Sequence, residues 1–299
     1  MNIYFYNAWH NGDLHVSRTF VRYIMENIKA KNYYYCHSNS KKILSDIENL
    51  KQIPFDCINK NDERGYFMQS DQDYYINTWY GSYDFSYLNN QELNLYTLFN
   101  IFKRTLKELF NHKILNDPIF FLPKVDFTKF DVRDIDNFIL KDNRKKVLIC
   151  NNEVDSGQSE NFDFNPIIKR LSDEYPNILF IITNVIDNNL IEKDNIVYCR
   201  NIINSNDNDL NEIGYLSKFC DIVVGRYSGP YTFATTYETL LDPNKIFINF
   251  VNKKTRTYNY GDGSFGISAF LPEGKRTKFV TSSNFSESNI INVIKGELI

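Results

Sequence analysis

The chain lacks any apolar run near the ~20 residues needed to cross a bilayer. Its opening Met1-Asn2-Ile3-Tyr4-Phe5-Tyr6 has neither the basic start nor the longer apolar stretch of a secretion signal. It also lacks a basic run, and its formal net charge is −3, so binding along a nucleic-acid phosphate backbone is not expected. Cysteines are few and scattered: Cys36, Cys57, Cys150, Cys199 and Cys220, an odd set whose spacing fits neither a zinc site nor a disulfide framework. Buried reduced thiols are expected. No repeat of solenoid length is visible. These absences point to a cytoplasmic protein with no nucleic-acid partner and at most peripheral contact with the inner face of the membrane.

What is present is apolar material enough for two ordinary domains: 299 residues, 42% hydrophobic, with Tyr and Phe unusually frequent. Asparagine-rich loops such as 201–211 are given no functional weight. The first half alternates strand and helix patterns. Ile3–Tyr6 reads as a strand, Leu14–Ile28 as a helix with Leu14, Phe20, Val21, Ile24, Met25 and Ile28 on one face, Asn32–Cys36 as a strand and Lys41–Leu50 as a helix. Residues 54–90 are polar, aromatic and without periodicity. Gln91–Phe110 is a clear helix and Asp134–Leu140 a short one. After the charged Asp142-Asn143-Arg144-Lys145-Lys146 a second series runs through strands Val147–Cys150, Ile178–Thr183, Ile196–Cys199, Asp221–Val224 and Ile246–Phe250. Helices Asn165–Glu174, Leu210–Phe219 and Pro230–Leu241 alternate with them. Such alternation gives parallel sheets with right-handed crossovers. The expectation is an α/β protein of two Rossmann-like domains, 1–142 and 143–299, facing across a cleft. The tail after 250 is a candidate to cross back to the first.

Doubly wound sheets bind ligands beyond the carboxyl ends of their strands. Two turns stand at such ends. In Asn7-Ala8-Trp9-His10-Asn11-Gly12-Asp13-Leu14-His15, Gly12 permits a tight turn or close backbone approach and Asp13 falls at or near a helix N-cap. Two roles are open for Asp13: capping the helix, which is a common use of Asp, or acting as a general base. His10 and His15 flank it, either as ligand contacts or as surface and packing residues. In Asp221-Ile222-Val223-Val224-Gly225-Arg226-Tyr227-Ser228-Gly229-Pro230-Tyr231-Thr232-Phe233-Ala234, a strand runs into a glycine-containing turn with proline at the first helical position. Free amides and the helix dipole at such a turn suit a phosphate. Arg226 adds a cation, and Glu238, about two turns on, could accept ribose hydroxyls. Asn151, Asn152, Ser156, Gly157, Gln158 and Ser159 follow the first strand of the second half, as donor contacts or as self-satisfied loop.

Gly12-Asp13-Leu14-His15 resembles the Gly-Asp-x-x-His turn of the lipopolysaccharide heptosyltransferases, a GT-B glycosyltransferase group (family 9-like). Gly225–Ala234 is similar to that group's late Asp-(Ser/Thr)-Gly-Pro-x-His-x-Ala segment. The order, the separation and the two-domain layout agree. The resemblance implies a nucleotide-sugar donor in the C-terminal half, its diphosphate at the amides near Ser228, Gly229, Pro230, Tyr231 and Thr232. It implies a glycan or lipid-linked acceptor on the N-terminal half, near His10, Gly12 and His15, with Asp13 as the base that deprotonates the acceptor hydroxyl. It implies no cofactor and no bound metal, and a role in surface polysaccharide synthesis. Tyr227 stands where the group has its aspartate and Thr232 where it has its histidine, so the sugar is not named.

Residues 64–90 read as an acceptor-side insertion, with Trp79 and Tyr80 as sugar-stacking candidates or as loop packing. Asp71-Gln72-Asp73 has the Asp-x-Asp form of metal-dependent transferases, a pattern that chance readily produces in an acidic stretch. Two other functions fit the layout: a sugar-nucleotide epimerase and a non-catalytic nucleotide-sugar-binding module.

Overall fold

The computed structural model describes the chain except residues 59–64, 71, 80–94, 156, 186, 188–189, 191, 206, 228, 253–270 and 273. It is an α/β protein of two compact units, Met1–Asp126 and the described residues from Phe127 on. The division falls ahead of the expected boundary at 142. The helix Arg133–Lys141 goes with the second unit because the Tyr215 hydroxyl donates to the Asp136 carboxylate at 2.7 Å.

The first unit is a five-stranded sheet of β1 (Asn2–Tyr6), β2 (Asn32–Cys36), β3 (Leu50–Ile53), β4 (Tyr66–Ser70) and β5 (Asp73–Asn77), in the order β3-β2-β1-β5-β4. All pairs are parallel except the β4–β5 hairpin. The tyrosine excess has a purpose here. Tyr34, Tyr4, Tyr75 and Phe67 are in-register neighbours on β2, β1, β5 and β4. Their rings stack at 4.7, 4.6 and 4.6 Å, a continuous aromatic ladder. Each such pair adds about 0.5–1.5 kcal/mol beyond area burial. Elsewhere in the unit, α1 (Asn11–Asn27) meets α2 (Leu95–Phe110) and the turn Pro118–Phe121 through Phe20, whose ring lies 4.6 Å from Phe102 and 4.4 Å from Phe121. Arg18 and Asp46 are fully buried side chains joined at 3.2 Å, and Arg22 also donates to Asp46.

Two expectations change in this unit. Lys41–Leu50 is not a helix: one 3-10 turn, Lys41–Leu44, is followed by Asn49 at φ 63°, which turns the chain into β3. The aperiodic stretch contains β4 and β5. Asp73 lies on β5, its carboxylate accepting from Asn2 at 2.8 Å and Ser70 at 3.2 Å, while Asp71 lies outside the described residues. Among the described residues no group of three metal-ligating side chains occurs.

The second unit is a six-stranded, all-parallel sheet of β6 (Lys145–Cys150), β7 (Ile178–Ile182), β8 (Ile196–Tyr198), β9 (Ile222–Arg226), β10 (Ile246–Phe250) and β11 (Lys278–Ser282), in the order β11-β10-β9-β6-β7-β8. Strands covered on both faces read as unbroken apolar runs, as Ile178–Ile182 and Ile222–Val224 do. With α3 as Arg133–Lys141, the other helices are α4 (Asn165–Glu174), α5 (Leu210–Leu216), α6 (Gly229–Ala234), α7 (Tyr237–Leu240) and α8 (Glu287–Leu298). The tail from Lys278 stays with this unit: β11 pairs with β10, and Ile290, Ile291, Ile294 and Leu298 of α8 enter its core; residues 253–270 lie outside the described set.

Buried cations close backbone ends in this unit. Lys245, 3% exposed, donates through Nζ to the carbonyls of Ser217, at 2.9 Å, and Cys220. Burial pushes its ammonium below the usual lysine range. Lys146 does the same for the carbonyls of Asp142 and Arg144. Cys36, Cys150, Cys199 and Cys220 are buried free thiols, with those of Cys199 and Cys220 each pushed up to about 12 by burial.

Candidate active site

In the first unit the site begins where β1 ends. His10 has the extended backbone of an N-cap, and α1 starts at Asn11. Asp13 is therefore the third helical residue rather than the cap. Its carboxylate accepts the His10 N–H at 3.1 Å, and its own N–H donates to the His10 carbonyl at 3.1 Å. That bond and the helix N-terminus both favour the charged form, yet burial outweighs them and raises the Asp13 carboxyl to about 6. A carboxylate near 6 is ionised at neutral pH and basic enough to take a proton from a hydroxyl as it reacts. Beside it the Tyr35 hydroxyl bonds to Thr78 Oγ1 at 2.5 Å and to Ser17 Oγ at 3.1 Å. Burial drives the phenol well above its ordinary value, so this group stays protonated.

Gly12 lies in the same first turn of α1 and His10 is exposed beside it, while His15 is fully buried. The expected acceptor contact at His15 is thus replaced by a place in the core. Trp79 is partly buried and rests on Trp9, with ring centroids 4.7 Å apart. Tyr80 lies outside the described residues. Trp9, 48% exposed, was not among the residues expected at the site. Its signal was the Asn-x-Trp pattern that Asn7–Trp9 and Asn77–Trp79 share.

In the second unit the late turn is built differently from its reading as two glycines in a loop. Gly225 is inside β9. A Cβ there would lie 2.7 Å from Cys150 Cβ and 2.9 Å from the Cys150 carbonyl oxygen, so glycine is demanded by packing against β6. Arg226, expected as a free cation for phosphate, is 2% exposed. Its guanidinium donates to the carbonyls of Glu160 at 3.1 Å, Asn151 at 3.1 Å, Asn152 at 2.9 Å and Phe162, and lies 4.5 and 4.8 Å from the Phe162 and Phe164 rings. It pins the loop between β6 and α4 to the strand that enters the turn.

Gly229, partly exposed, opens α6, whereas Pro230, Tyr231 and Thr232, expected as donor contacts, are buried. Ser228 lies outside the described residues. The expected helix Pro230–Leu241 is broken: α6 stops at Ala234, and Thr236 caps α7 by accepting the Thr239 N–H. Glu238 thus belongs to a separate helical turn and is exposed. Asn151 uses its side chain on the end of β7, donating to the Asn184 carbonyl at 3.1 Å and accepting from the Thr183 and Asn184 amides at 3.1 and 2.8 Å. Gln158 is partly buried, and its carbonyl accepts the Asn252 N–H at 2.7 Å. Beyond the carboxyl ends of β6, β7 and β9 lies a cavity of about 310 Å³ lined by Asn151, Glu153, Asn161, Asp163, Asn184 and Arg226 among others.

No family model matches the chain, and no curated protein matches it. Solved structures do. The E. coli heptosyltransferase WaaC with ADP-2-deoxy-2-fluoro heptose is similar at a TM-score of 0.52 and 10% identity, covering 99% of both chains. A glycosyl transferase family 9 structure from Veillonella parvula is similar at 0.52 and 12% identity, covering 99% of this chain and 96% of that one. At such identity the likeness is one of architecture, and over nearly its whole length this chain has the GT-B fold of the heptosyltransferase and family 9 structures.

Proposed function

We propose that the chain is a glycosyltransferase that moves a sugar from a nucleotide-sugar donor to a glycan or lipid-linked acceptor in surface polysaccharide synthesis. The observation that carries this reading is Asp13: a carboxylate in the first turn of α1, beyond the carboxyl end of β1, whose basicity is raised by burial to about 6. The fold shared with a heptosyltransferase holding an ADP-heptose analogue supports a nucleotide-sugar donor.

In this mechanism the acceptor hydroxyl attacks the anomeric carbon from the face opposite the diphosphate. The new C–O bond forms as the old C–O bond breaks, the hydroxyl proton passes to Asp13, and the nucleoside diphosphate leaves with the electron pair. One base and one displacement give inversion. The first unit supplies the acceptor contacts and the second the donor contacts. Backbone amides at the start of α6, around Gly229, receive the diphosphate. Arg226 serves by holding the 151–162 loop rather than by touching the phosphates. No metal takes part.

Thermal-shift measurements with ADP, UDP, GDP and their sugar conjugates identify the donor, because a ligand that binds only the folded state raises its apparent stability. Asp13→Asn is expected to abolish transfer while keeping the nucleotide shift. Wild-type transfer should rise with pH through about 6 and persist in EDTA. Transfer by Asp13→Asn would remove Asp13 from the mechanism, nucleotide binding without turnover would identify a binding module, and conversion of the free sugar nucleotide would identify an epimerase.

A further inference from the structure

The chain has two tryptophans, far apart in sequence, and the fold puts them together. β1 and β5 are adjacent and parallel, with Tyr6 opposite Asn77. Each strand end carries the same short device: Asn7 Oδ1 accepts the Trp9 N–H at 2.9 Å, and Asn77 Oδ1 accepts the Trp79 N–H at 2.8 Å. Two like turns on neighbouring strands project the two indoles into one place, 37° apart in plane. Asn39 Nδ2 donates to the Trp9 carbonyl at 2.9 Å and fixes that turn from β2's side. With Trp79 behind it, Trp9 leaves about half its surface to solvent, where so large an apolar group gains nothing for folding. The next residue, His10, gives the amide that holds the Asp13 carboxylate.

We propose that Trp9, backed by Trp79, is the acceptor platform of the site and stacks on the apolar C–H face of a neutral pyranose ring. The proposal rests on the transferase reading for its chemistry, and on the ring pair for its ligand. A rigid aromatic face recognises a ring with one apolar side, and the polar groups held beside Trp9, the Asn39 amide on its carbonyl and the imidazole of the next residue, His10, suit hydroxyls. Stacking on Trp9 sets a ring hydroxyl beside Asp13, converting a bimolecular encounter into a positioned one. Trp9 is then a specificity-determining residue and Asp13 the catalytic one.

These are the only tryptophans, so their emission reports this site without labels. Lactose, cellobiose and N,N′-diacetylchitobiose at millimolar concentration should produce a saturable change in emission, in the wild type and in Asp13→Asn alike. Trp9→Ala should weaken the best of these by about tenfold, and Trp9→Phe, which keeps a stacking ring, by no more than about threefold. Calorimetry supplies the same constants independently of the fluorophore. The platform is overturned if none of the disaccharides binds, if Trp9→Ala binds as the wild type does, or if ADP or UDP alone produces the saturable change. A saccharide response lost in Trp9→Ala, in a protein that transfers nothing, keeps the platform and removes the transferase reading. Transfer without any saccharide response does the reverse.

Discussion

Asp13→Asn should make the protein more stable as well as inactive. In the folded chain the Asp13 carboxyl titrates near 6 against an ordinary 3.8, because burial penalises its charge. The folded pKa is the higher one, so the stability linked to this group is fully present below 3.8 and is lost as pH rises through about 6. Above that the ionised side chain costs up to about 3 kcal/mol, and at pH 5 about half as much. Asp13 retains some solvent access, which screens part of this, so about 1–2 kcal/mol is expected at pH 7. Asparagine keeps an oxygen for the His10 N–H and carries no charge to desolvate. Urea unfolding followed by tryptophan emission reports the first unit, since Trp9 and Trp79 both lie in it. The mutant should gain stability over the wild type, by more at pH 8 than at pH 5. No gain, or a gain that does not change with pH, would refute burial as the source of the Asp13 shift.

Other substitutions probe the second unit and the buried ion pair. Arg226→Met leaves the carbonyls of Asn151, Asn152, Glu160 and Phe162 without their donor, and about 2–4 kcal/mol should be lost in urea unfolding. Nucleotide-induced thermal shifts should fall with it, and Arg226→Lys should be intermediate; an unchanged nucleotide shift would show that the loop needs no clamp. Gly225→Ala places a methyl 2.7 Å from Cys150 Cβ, which should cost about 1–3 kcal/mol by overpacking, read as a lowered melting temperature. Asp46→Ala uncovers the buried Arg18 guanidinium and should cost about 3–5 kcal/mol in the first unit, whereas a near-neutral result would mean that water reaches that pocket.

What could be read from the residues was what is decided locally. The strand Asn2–Tyr6 and a helix with Leu14, Val21 and Ile24 inward are consequences of nearby sequence, but the helix begins three residues early and takes in Asn11, Gly12 and Asp13, which read as turn. Strands β6, β7, β9 and β10 were legible because they are apolar runs buried along nearly their whole length, whereas β11, partly exposed at every residue, was not read. Lys41–Leu50 misled because Ile43, Leu44 and Ile47 have helical spacing, while one left-handed residue, Asn49, decides the path. The β4–β5 hairpin was missed because β4 is an edge strand whose Met68, Gln69 and Ser70 stay exposed, so no alternation marks it. Arg226 shows the deeper limit. A cation after a strand is visible in sequence, but whether it meets a phosphate or four carbonyls depends on where a loop 64 to 75 residues earlier comes to lie. The tryptophan pair likewise exists only once β1 and β5 are neighbours.

The cations that close backbone ends are also withheld from an approaching anion. Among the described residues Arg18, Lys146, Arg226 and Lys245 are buried. Burial leaves the summed charge at the formal −3 of the sequence, but it keeps these cations from direct contact with an anion. Long-range attraction then does little to bring in an anionic donor, and its capture depends on amides acting within hydrogen-bond reach. Raising the salt concentration should accordingly speed association with a nucleotide sugar slightly, or leave it unchanged, where a basic cleft would slow it.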